Sequence, residues 1–222
     1  VCGSWVKIIG LEKKFINKYP RKHEEVRAYL LFNTPFAHPS VMIRKDILER
    51  SQLKYDENYK HAEDYELWSR IIDHTKISNI PKVLLHYRMH HESVSKKNSS
   101  EQAEISNKVR SKLLKDLGIS ATTAELDIHR RLVRPDYFNS KEFINKLEIW
   151  LSKILSANKK ASIYEQDSLV KIISSRWLNA CNSNANLGFW VIKKFWQSPL
   201  KKINYYNFWQ TLKFFIKCLF RK

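Results

Sequence analysis

The chain has 222 residues, of which 43% are hydrophobic and 13% aromatic, enough to bury the core of one large domain or of a domain with an appendage, and this excludes a disordered polypeptide. Forty Lys and Arg against 22 acidic residues give a formal charge of +18, which favours an anionic partner such as nucleic acid, phospholipid or a phosphorylated small molecule. Four glycines and six prolines are too few for a turn-rich β-sandwich, and the sequence holds no run of about 18 apolar residues that would cross a membrane.

The first ten residues, VCGSWVKIIG, lack an initiator Met and a signal-peptide layout and read as a strand already under way, with residues 5–9 as its core, as expected of a chain truncated at its front. A short helix is predicted over 24–32, a strand over 40–44 and a helix over 45–50. Apolar residues at helical spacing predict a helix over 63–74, and alternation predicts a strand over 83–90 that runs into a loop at 91–100.

From about residue 101 the pattern is almost purely helical. Helices are predicted over 101–117, closed by Gly118, and over 122–132, 140–155 and 163–179, with 182–186 as a linker. The final stretch, 189–222, interleaves aromatic residues with Lys and Arg and contains no acid. The resulting division is 1–100, a helical appendage at 101–181, and a basic aromatic tail at 187–222. Cys2, Cys181 and Cys218 show neither metal-ligand spacing nor an even-numbered disulfide framework, so they are expected to be packing residues in a reducing cytoplasm.

Three segments carry residues suited to chemistry. In His61-Ala62-Glu63-Asp64-Tyr65-Glu66-Leu67-Trp68 an acidic pair opens an amphipathic helix. The helix dipole and free N–H groups there stabilise an anion, so Asp64 is expected to be ionised at neutral pH and able to act as a base; an acid at this position also serves simply to cap a helix. In Leu84 to Ser95 a strand delivers Arg88 and the histidines His86, His90 and His91 to a polar loop, a set suited to a diphosphate and its cation but equally to a solvated strand edge. In Asn33-Thr34-Pro35-Phe36-Ala37-His38-Pro39-Ser40 a proline-fixed turn presents His38 and Ser40 at a strand mouth, as binding-site wall or as structural punctuation.

Taken in order and spacing, NTPFAHPSVMIR, YDENYKHAEDYELWSRI and IPKVLLHYRMHHESVS resemble the second half of family 2 glycosyltransferases of the GT-A type. The resemblance covers roughly residues 1–100; KLLKDLGI, AELDIHRRL and the helices around Trp150 are similar to the helical tail of some polysaccharide-assembly members. It implies an α/β fold, the C-terminal part of a nucleotide-diphospho-sugar transferase followed by a mainly α-helical appendage. It further implies Asp64 as general base of an inverting transfer, Glu63 as an aid to acceptor orientation, and His38, Ser40, Arg88 and Trp68 as substrate contacts. His90 is the implied metal or phosphate contact, with His86 and His91 as alternatives, and the cation is Mn²⁺ or Mg²⁺. The implied partners are a nucleotide-sugar donor and a saccharide or lipid-linked acceptor. No Asp-x-Asp occurs between Val1 and Lys222, and the resemblance places that motif and the donor-gripping half upstream. A rival reading is a non-catalytic remnant or split partner that binds acceptor and membrane surface.

In the tail, Phe208, Leu212, Phe215 and Leu219 share one helical face flanked by Trp209 and Ile216, with Lys213, Lys217 and Arg221 on another. This pattern suits peripheral docking on anionic lipid at the inner face of the cytoplasmic membrane, and it equally suits a core helix whose lysines face water. Nucleic acid is not an expected partner, because neither a helix-turn-helix nor an RNP-like aromatic strand is visible.

Overall fold

The computed structural model describes residues 1–10, 14–89, 99–133, 140–202, 205–206 and 208–220. They fall into two compact units, Val1–Leu113 and Leu114–Lys222.

The first unit is built on a three-stranded sheet in the order β2-β1-β3, with β1 at Cys2–Ile9, β2 at Phe15–Asn17 and β3 at Ser78–Arg88. The central strand pairs antiparallel with β2 and parallel with β3. A parallel pair needs a long crossover, and here it contains α1 (His23–Leu30), α2 (Lys45–Arg50) and α3 (Glu63–Ile71). β3 starts five residues earlier than the alternation predicts. Ser4 lies opposite Ile80 but Trp5 opposite Val83, so the ladder is irregular where Pro81, which has no N–H, interrupts it.

The strand predicted over 40–44 does not form. Its place is taken by a single 3-10 turn, His38–Ser40, and one isolated bridge between Met42 and Cys2. Pro39 fits the first turn of such a helix, and the Ser40 hydroxyl donates to the Ala37 carbonyl at 2.8 Å and accepts the Ser4 N–H at 3.3 Å. These bonds close the turn and pin it to β1.

Val26, Leu30, Phe36, Tyr65, Leu67, Trp68, Ile71 and Ile77 form the larger core cluster of this unit, and Val109 joins them from α4 (Ser99–Asp116). Arg110, buried on the same helix, donates to the Phe32 carbonyl at 2.8 Å. The boundary between the units therefore falls inside α4 rather than before it.

The second unit is helical: α5 (Thr123–Arg131), α6 (Lys141–Ala161), α7 (Gln166–Ser183), α8 (Phe189–Gln197) and α9 (Phe208–Phe220). Thr122 closes a capping box with Glu125, and Ser140 caps α6, at the starts the sequence signals. Both α6 and α7 run past their predicted ends, α6 because Asn158 ties its last turn to Tyr164 and Ser162 adopts the left-handed conformation that stops it. Trp150, Trp177, Phe195 and Phe214 fill the core, and α9 is anchored by Phe214, whose ring meets Phe195 at 5.3 Å, and by Cys218. Cys181 and Cys218 are buried free thiols and Cys2 is half-buried, as expected of packing residues.

Candidate functional site

The start of α3 is assembled by unusual means. The chain enters it through His61, whose φ of 69° is left-handed, and the N-cap Ala62 offers no side chain to the helix. One of the open donors, the Tyr65 N–H, is met instead by Asp64, whose Oδ1 accepts it at 2.7 Å. The entry turn is held from α4: Gln102 donates to the His61 carbonyl at 2.8 Å, and the Glu101 carboxylate lies 3.6 Å from His61 Nε2.

Below this point the helix is fixed. Tyr65 donates its hydroxyl to the Leu30 carbonyl, and the buried Glu66 accepts two bonds from Arg70, which also donates to the Lys54 carbonyl at 2.7 Å. Glu63 stays exposed and Asp64 half-buried at the rim.

His38 is exposed at the tip of the 3-10 turn, its ring 6.1 Å from that of Tyr55 and 6.1 Å from that of Trp68. Trp68 was expected to touch substrate, but it is fully buried, set edge-on to Phe36 at 5.3 Å, and forms the floor under His38. Its apolar neighbours at helical spacing on α3 draw it into the core. The Ser40 hydroxyl is likewise occupied, since both of its bonds go to backbone, one to Ala37 within the turn and one from Ser4 on β1.

Burial pushes the Asp64 carboxyl above the ordinary range, while the Tyr65 amide and His38 pull it back and Glu63 pushes it further up. Desolvation thus outweighs the anion-stabilising helix start that the sequence suggests. The Tyr55 phenol is raised by burial and by the charges of Asp64 and Glu63. Tyr19 is pushed up to about 12, chiefly by burial and by Tyr29, with Asp64 and Tyr87 adding to it. Tyr55 and Tyr19 are members of the site that sequence reasoning missed. Tyr55 opens the YDENYK stretch without any distinguishing signal, and Tyr19 enters from β2's side of the sheet, held by the Trp5 indole donating to its carbonyl at 3.0 Å.

Arg88 does not join this group. On β3 Leu85 and Tyr87 turn inward toward Val6, Ile8 and Ala37, so His86 and Arg88, which alternate with them, point to solvent on the other face. His90 and His91 lie outside the described residues. Among the described residues no group of three or more His, Cys, Asp or Glu is placed to hold a metal ion. The structure therefore gathers Asp64, Glu63, His38 and Tyr55 around one rim, over Trp68.

The chain is 30% identical over 111 residues to an uncharacterized glycosyltransferase of Haemophilus influenzae, covering 49% of this chain and 33% of that protein. It is 34% identical over 101 residues to the O-antigen biosynthesis glycosyltransferase WbnJ of Escherichia coli, covering 43% of this chain and 39% of that protein. To an uncharacterized glycosyltransferase of Methanocaldococcus jannaschii it is 33% identical over 90 residues, covering 39% of this chain and 30% of that protein. The chain spans about a third of the length of these relatives. No protein-family model matches the chain, and no solved structure matches it. The similarity supports a glycosyltransferase family for this chain.

Proposed function

We propose that residues 1–113 are the acceptor-side part of an inverting glycosyltransferase of the GT-A type, family 2, and that Asp64 is its general base. The observation that carries this reading is the half-buried Asp64 carboxylate at the rim beside His38 and Tyr55, with its pKa raised by burial. A raised pKa makes a stronger base, and a base matched to the operating pH gives the larger catalytic gain.

In the proposed step the acceptor hydroxyl oxygen bonds to the anomeric carbon of the donor sugar while its proton passes to Asp64. The bond from that carbon to the diphosphate oxygen breaks, and its electron pair leaves with the nucleoside diphosphate. In this reading Glu63, exposed one residue before, accepts a hydrogen bond from a second acceptor hydroxyl. A divalent cation such as Mn²⁺ or Mg²⁺, if bound, would supply charge neutralisation for a leaving diphosphate. The described residues supply no cluster of three or more His, Cys, Asp or Glu for such a cation.

The acceptor is a saccharide or a lipid-linked saccharide, the class suited to the O-antigen biosynthesis for which the relative WbnJ is named. The test is Asp64→Asn in the longest reading frame that contains the chain, assayed for transfer from nucleotide sugars with the anomeric outcome read by NMR. Loss of about 10²- to 10⁴-fold in turnover with donor affinity kept is the expected result. Near-normal turnover would remove Asp64 from the mechanism, and a frame with no transfer activity would favour a binding partner that does not catalyse.

A further inference from the structure

Helix α9 leaves much of its apolar surface outside the fold. Phe208 is 71% exposed, Trp209 63%, Ile216 47%, Leu219 67% and Phe220 71%, whereas Phe214 and Cys218 are buried. At 3.6 residues per turn the exposed side chains and the half-buried Leu212 span about 120° of arc, and Lys213 and Lys217 occupy the next 60° or so. The buried pair lies on the far side. The apolar surface continues on α8, where Trp196 stacks on Phe215 at 5.8 Å and 15°, and Phe189, 74% exposed, sits two turns before Trp196 with Lys193 between them.

Charge decides what such a surface fits. Residues 189–222 carry eight Lys and Arg and no acid. Lys194 is taken by Glu148, and Lys201 lies 4.2 Å over the Trp196 ring. Lys193 and Lys213 are exposed beside the exposed rings. A protein partner of complementary charge would cover the lysines but has no need of five solvent-facing apolar side chains on one arc; a bilayer with anionic headgroups takes up both. α9 has 13 residues, about 20 Å of helix against a hydrocarbon thickness of about 30 Å, so it suits lying in the interface and not spanning it.

We infer that the second unit docks on an anionic phospholipid surface through Phe208, Trp209, Ile216, Leu219 and Phe220 of α9, with Lys213 and Lys193 meeting the headgroup phosphates. The rings sit at the acyl boundary and the lysine stems reach outward from it. This does not depend on the role of Asp64.

Co-sedimentation of the full 222-residue chain with vesicles of phosphatidylcholine alone, or of phosphatidylcholine mixed with phosphatidylglycerol as the anionic lipid, tests it. Binding is expected to the anionic vesicles and to fall as salt is raised, because surface attraction is screened within about 8 Å at physiological ionic strength. Lys213→Ala should weaken partitioning about fivefold, from roughly 1 kcal/mol per surface cation. Trp209→Ser combined with Phe220→Ser should weaken it about tenfold or more. Circular dichroism checks that both variants stay folded, and Lys213→Ala, at an exposed site, keeps the test open if the double variant does not. Equal binding to both vesicle types, or binding unmoved by either variant, overturns the inference. So does a dimer in sedimentation equilibrium that Trp209→Ser with Phe220→Ser dissolves while wild type ignores vesicles, which would assign the face to a second copy of the chain.

Discussion

Replacing Arg70 by Met should do more damage than its half-exposed position suggests. Its guanidinium donates to both oxygens of Glu66, at 2.7 and 2.5 Å, and to the Lys54 carbonyl at 2.7 Å. Glu66 is only 5% exposed at its side chain, so the variant leaves a buried carboxylate without its cation. Breaking a fully buried pair costs about 3–5 kcal/mol; Arg70 is 26% exposed, so water can partly reach the gap and the expectation drops to about 2–4 kcal/mol. Glu66→Gln keeps an acceptor for Arg70 and should cost about 1 kcal/mol. By calorimetry Arg70→Met should lower the unfolding midpoint of the first unit by about 10 °C or more, well beyond Glu66→Gln. The site should respond as well. The Lys54 bond holds the residue next to Tyr55, so acceptor KM should rise in Arg70→Met before kcat does. A variant as stable as Glu66→Gln, or more so, would refute the reasoning.

Asp64 has a folded-state pKa above its unfolded value, so its contribution to stability is fully present below the unfolded value and is lost as pH rises through the folded one. Asp64→Asn should therefore gain in unfolding midpoint relative to wild type between pH 4 and pH 8, and a gap that narrows over that range would contradict the burial argument. Ser40→Ala should cost about 1–2 kcal/mol by denaturant titration, since it removes a bond to Ala37 and strands the Ser4 N–H. Unchanged stability with a raised acceptor KM would return Ser40 to the substrate. A Cβ on Gly3 would sit 2.5 Å from both Asn79 Oδ1 and Phe36, so Gly3→Ala should destabilise by about 1–3 kcal/mol, and a neutral result would show that Asn79 can yield.

Much of this architecture could be read from residue patterns because it rests on local chemistry. Thr122 with Glu125, Ser140, and Gly118 with its φ of 76° mark helix ends by bonds made within a few residues. Failures arose where distant parts of the chain decide. Nothing local to residues 40–44 shows that Ser40 will bind Ser4, and nothing in HAEDYELW shows that burial will overcome the helix start at Asp64. Trp68 has the composition of a sugar platform, yet the spacing that puts it with Leu67 and Ile71 also puts it in the core. In α9 almost every side of the helix carries an apolar residue, so periodicity could not select the arc that packs. The structure buries Phe214, and the exposed arc turns toward Trp209, Ile216 and Phe220.

The position of α4 sets a rule for anyone exchanging modules between proteins of this kind. A composition change near residue 101 invites a cut there. Yet Glu101, Gln102, Val109 and Arg110, all beyond that cut, steady the His61 turn, fill the core and engage Phe32. A chimera joined at residue 100 would inherit Asp64 on a helix whose entrance is unbraced, whereas one joined after Leu113 would carry the brace along with the carboxylate. Grafts at the two seams, identical in every residue of HAEDYELW, should therefore differ in how well that segment keeps its shape.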